Sequence, residues 1–117
     1  MKARNRFFVD GVSCRLDAET YRVANLSARG FFAAAGEPLP HVGQILVLDL
    51  VLPSRRACRV VGRVTWINGR GEHVSELPPG FGVRLTRIDR EDRQAIEDLL
   101  RGSDAVLGPG EPDREEP

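Results

Sequence analysis

Between Ala57 and Asn68 the chain repeats with a period of two residues, a pattern that only an extended backbone can use. Cys58, Val60, Gly62, Val64 and Trp66 take one side of it; Arg59, Val61, Arg63, Thr65 and Ile67 take the other. Successive side chains of a β-strand point to opposite faces, so this stretch predicts a long, half-buried strand. The same parity recurs in Val12, Cys14 and Leu16, and again in Phe81, Val83 and Leu85. Asp17-Ala18-Glu19 reads as a hairpin turn into a strand from about Thr20 to Ser27, on which Tyr21, Val23, Asn25 and Ser27 share a face. Phe31 to Ala34 is a short strand that ends at Gly36-Glu37-Pro38. Ile45 to Leu52 is almost continuously apolar, as expected of a strand covered on both faces or of a barrel stave. A hairpin loop, Gly69 to Pro79, precedes the strand at Gly80 to Leu85.

The period changes once, after that strand. Asp89 is placed to cap a helix, with Glu91 and Asp92 in its first turn and Gly102 beyond its end. Ile96, Leu99 and Leu100 form an apolar stripe that should lie against the sheet. Six short antiparallel strands and one C-terminal α-helix imply a mainly all-β fold, a six-stranded β-barrel closed by the helix. A chain of 117 residues is enough for one such core. The organisation expected is a flexible basic segment over 1–10, the barrel and helix over 11–102, and an acidic tail over 103–117. The tail has five acids and only Ala105, Val106 and Leu107 as apolar residues, too few to offset the entropy of ordering it, so it reads as disordered.

Lysine and arginine together number 17, as do aspartate and glutamate, so the formal net charge is zero. This argues against a DNA or RNA coat, which needs a basic excess. The charge is uneven, however: residues 1–30 carry six cations against three anions, and residues 103–117 one against five. The front of the chain could therefore attract an anion. No apolar run is long enough for a membrane span, and Lys2, Arg4 and Arg6 are followed by no apolar stretch of a secretory signal. A cytoplasmic protein without membrane insertion is expected. Cys14, His41, Cys58 and His73 lack the paired spacing of a zinc site, so core thiols and loop histidines are expected, and no metal or cofactor. Gly80-Phe81-Gly82 lacks the third glycine of a dinucleotide fingerprint, and no G-x-S-x-G is present. No catalytic residues are assigned and an enzyme is not expected.

Asn25-Leu26-Ser27-Ala28-Arg29-Gly30 gathers an amide, a hydroxyl and a glycine that permits a tight turn at one sheet end. With its surroundings it carries a resemblance. The pattern [D/N]-x-S-x-x-G followed by Phe31-Phe32, then Val64-Thr65-Trp66-Ile67, then Pro79 to Leu85 and the helix at Ile88 to Arg93, resembles the PilZ domain over residues 2–102. That family comprises bacterial receptor modules for cyclic di-GMP, and the resemblance is to its short single-domain members. It implies a PilZ-like barrel, a cyclic di-GMP ligand, and an unknown effector protein in motility or envelope regulation. Lys2 and Arg6 would clamp phosphate and guanine edges, Asn25 and Ser27 would hydrogen-bond base and phosphate, and Gly30 would shape the turn. Arg4 and Arg29 are further candidates. The family's basic segment is R-x-x-x-R, whereas this chain reads K-x-x-x-R, with an ammonium at Lys2 in place of a guanidinium fork. The alternative is a PilZ-fold adaptor that binds no nucleotide and works through protein contacts, which exposed apolar residues near Phe7, Phe8 and Trp66 would favour.

Overall fold

The computed structural model describes residues 7–69, 77–102 and 106–107. In chain order the elements are β1 (Phe7–Phe8), β2 (Ser13–Leu16), β3 (Glu19–Leu26), β4 (Gly30–Ala34), β5 (Ile45–Val51), β6 (Ala57–Asn68), β7 (Gly80–Arg87), α1 (Arg90–Gly102) and β8 (Val106–Leu107). Strands β2 to β7 pair antiparallel in the order β2-β5-β6-β7-β4-β3, and β2 also pairs with β3, which closes a six-stranded barrel. Closure leaves the inward face of every strand as core. The expected barrel with one C-terminal helix is the fold observed.

The inner face is filled by alternate residues of each strand, among them Cys14, Val23, Phe31, Leu46, Leu48, Leu50, Cys58, Val60, Val64, Phe81 and Val83, all buried. Ile96 of α1 is fully buried in the same cluster, with Ala95, Leu99 and Leu100 packed beside it, so the helix plugs the barrel. The backbone N–H of Arg93 donates to the Asp89 carbonyl at 2.9 Å, which makes Asp89 the first hydrogen-bonding residue of the helix. The helix runs through Gly102 rather than stopping before it. Cys14 and Cys58 are buried free thiols, as the parity predicts, and burial pushes the Cys14 thiol up to about 12. Asp17 takes φ 55° in the β2–β3 turn, a left-handed conformation that aspartate tolerates better than most residues.

β5 is a barrel stave, not a strand covered twice. Leu46, Leu48 and Leu50 face in, while Ile45 and Val47 are 52% and 53% exposed on the outer face. Asp49 lies beside them between Arg59 (2.7 Å) and Arg15 (3.4 Å). The hydrogen bond from Arg59 holds its carboxyl below the usual aspartate range, with Arg15 adding to the effect.

The register shifts at three places, one of them between Val61 and Gly62, where Thr86 is the extra residue on β7; the other two bear on the site. A register shift between Val23 and Asn25 in β3 leaves Ala24 and Asn25 together opposite Phe32, and one between Val64 and Trp66 in β6 leaves Thr65 and Trp66 opposite Gly82. Each is a β-bulge, in which one extra residue resets the parity of the strand beyond it. Asn25 therefore does not share a face with Tyr21 and Val23, and Trp66 does not share one with Val64. Both lie on the outer face, and Leu26 and Ile67 turn inward in their stead. The segments read as flexible and disordered include two short strands. Phe7 and Phe8 pair with Leu26 and Asn25, and Leu107 and Val106 pair with Phe7 and Phe8. The remainder of 103–117, with Lys2, Arg4, Arg6 and His73, lies outside the described residues.

Candidate functional site

The two bulges define one row across the outer face. Asn25 on β3 stands opposite Phe32 on β4, Phe32 opposite Gly82 on β7, and Gly82 opposite Trp66 on β6. Directly opposed residues share a face of the sheet, so this row is a single stripe. The Trp66 indole lies over Gly82, where a Cβ would collide with Nε1 and Cδ1, and its ring packs 5.2 Å from that of Phe32. Ala24, Phe32 and Leu77 make a small second core under the indole. Buried Asn68 secures Leu77 there by donating to the carbonyls of Leu77 (3.3 Å) and Pro78 (2.8 Å). Trp66 Nε1 is buried without a hydrogen-bond partner.

The Ser27–Gly30 turn closes the end of that stripe. The Ser27 N–H donates to the Gly30 carbonyl at 2.9 Å, and the Arg29 N–H donates to Ser27 Oγ at 3.1 Å. Ser27 Oγ in turn donates to the Gly30 carbonyl at 3.4 Å. A Cβ at Gly30 would fall onto the Val83 carbonyl oxygen, so only glycine allows β4 to start this close to β7. Two ties from outside the motif fix the remaining carbonyls. The Leu85 N–H donates to the Arg29 carbonyl at 2.7 Å, and Arg93 Nη1 of α1 donates to the Ala28 carbonyl at 2.7 Å. Next to Arg93 in the helix, Asp92 accepts from Arg56 Nε and Nη2 at 3.0 and 2.8 Å, so the first turn of α1 is bound to both sides of the barrel end.

Of the residues singled out from sequence, Asn25, Ser27, Arg29 and Gly30 are brought together here. Asn25 is 1% and Ser27 8% exposed, whereas Arg29 is exposed. Lys2, Arg4 and Arg6 lie outside the described residues, although Phe7, to which Arg6 is bonded, pairs with Leu26 beside Ser27. Sequence reasoning missed Arg93, whose tie to Ala28 joins residues 65 apart in the chain. It also missed Arg84 and Arg63, which face each other across β7 and β6 in the row that starts at Gly30. Parity could have marked Arg84 as outward-facing, but not which strand stands beside it. Among the described residues no cluster of histidine, cysteine, aspartate or glutamate could hold a metal, and no helix is long and apolar enough to cross a membrane.

The family model of the PilZ domain matches residues 6–102, spanning the whole barrel and helix. The chain belongs to the PilZ domain family. PilZ domains are receptor and adaptor modules, and the turn just described lies within the matched residues and reads [D/N]-x-S-x-x-G. The solved structure of Bacillus subtilis Inhibitor of motility (MotI/DgrA) matches with a TM-score of 0.66 at 19% identity, over 86% of this chain and 51% of that one. At this identity the likeness is one of fold, and this PilZ domain spans about half the length of that protein. No curated protein matches the chain by sequence.

Proposed function

We propose that this PilZ domain is a cyclic di-GMP receptor that relays the second messenger to a cytoplasmic effector protein. The observation that carries the reading is the rigidly held Ser27–Gly30 turn, with β1 pairing beside it at Leu26. The basic segment Lys2 to Arg6 joins β1 at that point in the sequence. A cationic segment next to a turn that offers an amide, a hydroxyl and backbone donors suits a ligand with two phosphates and two guanines. Arg6 and Lys2 would supply charge, and Asn25 and Ser27 polar edges. Folding of the basic segment over the ligand would be the change that the effector reads.

The relay needs a contact surface, and among the described residues the large exposed apolar side chains lie on β5 and just before it. Trp66 is half-buried against Phe32, while Val42, Ile45 and Val47 are exposed at 63%, 52% and 53%. This face of β5 also supports the second reading, an adaptor that works through protein contacts without nucleotide. MotI/DgrA carries the name of a motility inhibitor, which makes motility proteins the first effectors to screen. Calorimetric titration with cyclic di-GMP separates the two readings. Saturable binding that weakens with salt, and that Arg6→Ala abolishes, supports the receptor; no heat at millimolar nucleotide leaves the adaptor.

A further inference from the structure

Two arginines of the outer face stand together beside the motif turn. Arg84 on β7 stands directly opposite Arg63 on β6, and on its other side opposite Gly30 of the motif turn. Opposed residues in an antiparallel pair have Cα atoms about 4.5–5.5 Å apart, and like charges placed so destabilise the sheet. Among the described residues neither arginine forms an ion pair: the carboxylates Asp49, Asp92 and Asp98 are taken by Arg15, Arg56, Arg59 and Arg101. Arg63 is exposed and Arg84 half-buried. A second, independent observation connects the pair to the turn. The N–H of Leu85, the residue after Arg84, donates to the Arg29 carbonyl at 2.7 Å, so the turn is fastened to β7 at the point where Arg84 leaves it. The row Gly30, Arg84, Arg63 lies one strand repeat from the row Asn25, Phe32, Gly82, Trp66, on the same outer face.

We propose that Arg84 and Arg63 form a sheet-borne phosphate clamp, a cationic wall of the nucleotide site beside the Ser27–Gly30 turn. The inference deepens the receptor reading and rests on it. Two arginines at directly opposed positions of neighbouring strands can turn parallel N–H donors to the oxygens of one phosphodiester. Binding it removes the repulsion between them. The clamp also supplies guanidinium forks, which the ammonium of Lys2 cannot.

The test compares wild type, Arg63→Gln, Arg84→Gln, the double variant, and Arg87→Gln as a control arginine of the same strand. Each is titrated with cyclic di-GMP, and its melting temperature is followed against inorganic pyrophosphate, with sodium chloride at matched ionic strength. Each single variant should lose about tenfold in nucleotide affinity, as expected when a charge-assisted contact is removed, and the double variant should show a shallower salt dependence. Arg87→Gln should bind as wild type does. Without ligand, the double variant should melt at or above the wild-type temperature, because like charges have been separated; a clear drop would mark a structural role and overturn the clamp. Nucleotide binding unchanged in the double variant would overturn the clamp and leave the receptor standing. If wild type ignores the nucleotide, the receptor reading fails and the clamp falls with it, and stabilisation by pyrophosphate through these arginines would mark an anion site for another ligand. If it responds to neither, both fail.

Discussion

At the scale of single residues, the site depends on positions where one chemical group is irreplaceable. Gly30 is one, because a methyl there meets backbone oxygen rather than a side chain that could move aside. Gly30→Ala should destabilise the domain by about 3 kcal/mol, the upper end for overpacking, and chemical denaturation would measure it. A loss below about 1 kcal/mol would show that β4 and β7 can part without difficulty. Lys2 is the other. Lys2→Arg restores R-x-x-x-R without a change in charge, and a bidentate contact to a guanine edge is worth ~1–3 kcal/mol. Cyclic di-GMP affinity should rise about tenfold by calorimetry. Equal affinities for Lys2→Arg, Lys2→Ala and wild type would mean that residue 2 never reaches the ligand.

At the scale of elements, the barrel and the helix meet through the site. The motif turn belongs to the β3–β4 connection, but its Ala28 carbonyl is held by Arg93 of α1. Arg93→Gln should therefore loosen the turn while Ile96 keeps the helix in the core. Losing this charge-assisted, partly buried bond should cost about 1.5–3 kcal/mol, and amide exchange at Arg29 should quicken more than exchange in β6. Uniform quickening would mean that Arg93 acts on global stability alone. The elements themselves were largely legible. The parity of residues 12–16, 57–64 and 81–85 gave strands that the structure contains, and the stripe Ile96, Leu99 and Leu100 gave the helix. What escaped were the bulges at Ala24 and Thr65, because a bulge is defined by the partner strand's register and leaves no mark in the composition of its own strand.

At the scale of the whole molecule, stability divides between a buried core and a few surface charges, and pH separates them. Asp49 has its carboxyl lowered by Arg59 and Arg15, so its contribution is complete above the ordinary aspartate value, ~3.9, and is lost as pH falls through its lower folded-state value. Because the arginines are largely exposed, the contribution is at most about 1 kcal/mol. Cys14 acts at the other end of the scale. The folded state keeps its thiol protonated up to about 12, so stability is full below the ordinary 9.0 and declines between those values as the unfolded thiol ionises. Stability curves for wild type and Cys14→Ala should run parallel near neutrality and converge above pH 9.0; parallel curves throughout would show that Cys14 is not what the alkaline limb reports. Deletion of Ser103 to Pro117 removes just the two-residue pairing of β8 with β1 from the described structure and should lower the melting temperature by a few degrees at most. By itself the sequence determined which stretches are the six barrel strands, where the helix begins, that both cysteines are buried, and that a polar turn joins β3 to β4. Those follow from local spacing and side-chain chemistry. Only the tertiary structure decided that Asn25 and Trp66 face outward, that Arg93 reaches Ala28, and that Arg84 meets Arg63 beside Gly30. Each is a contact between distant parts of the chain, set by strand register and barrel closure, and period-two spacing within one strand carries no record of its neighbour.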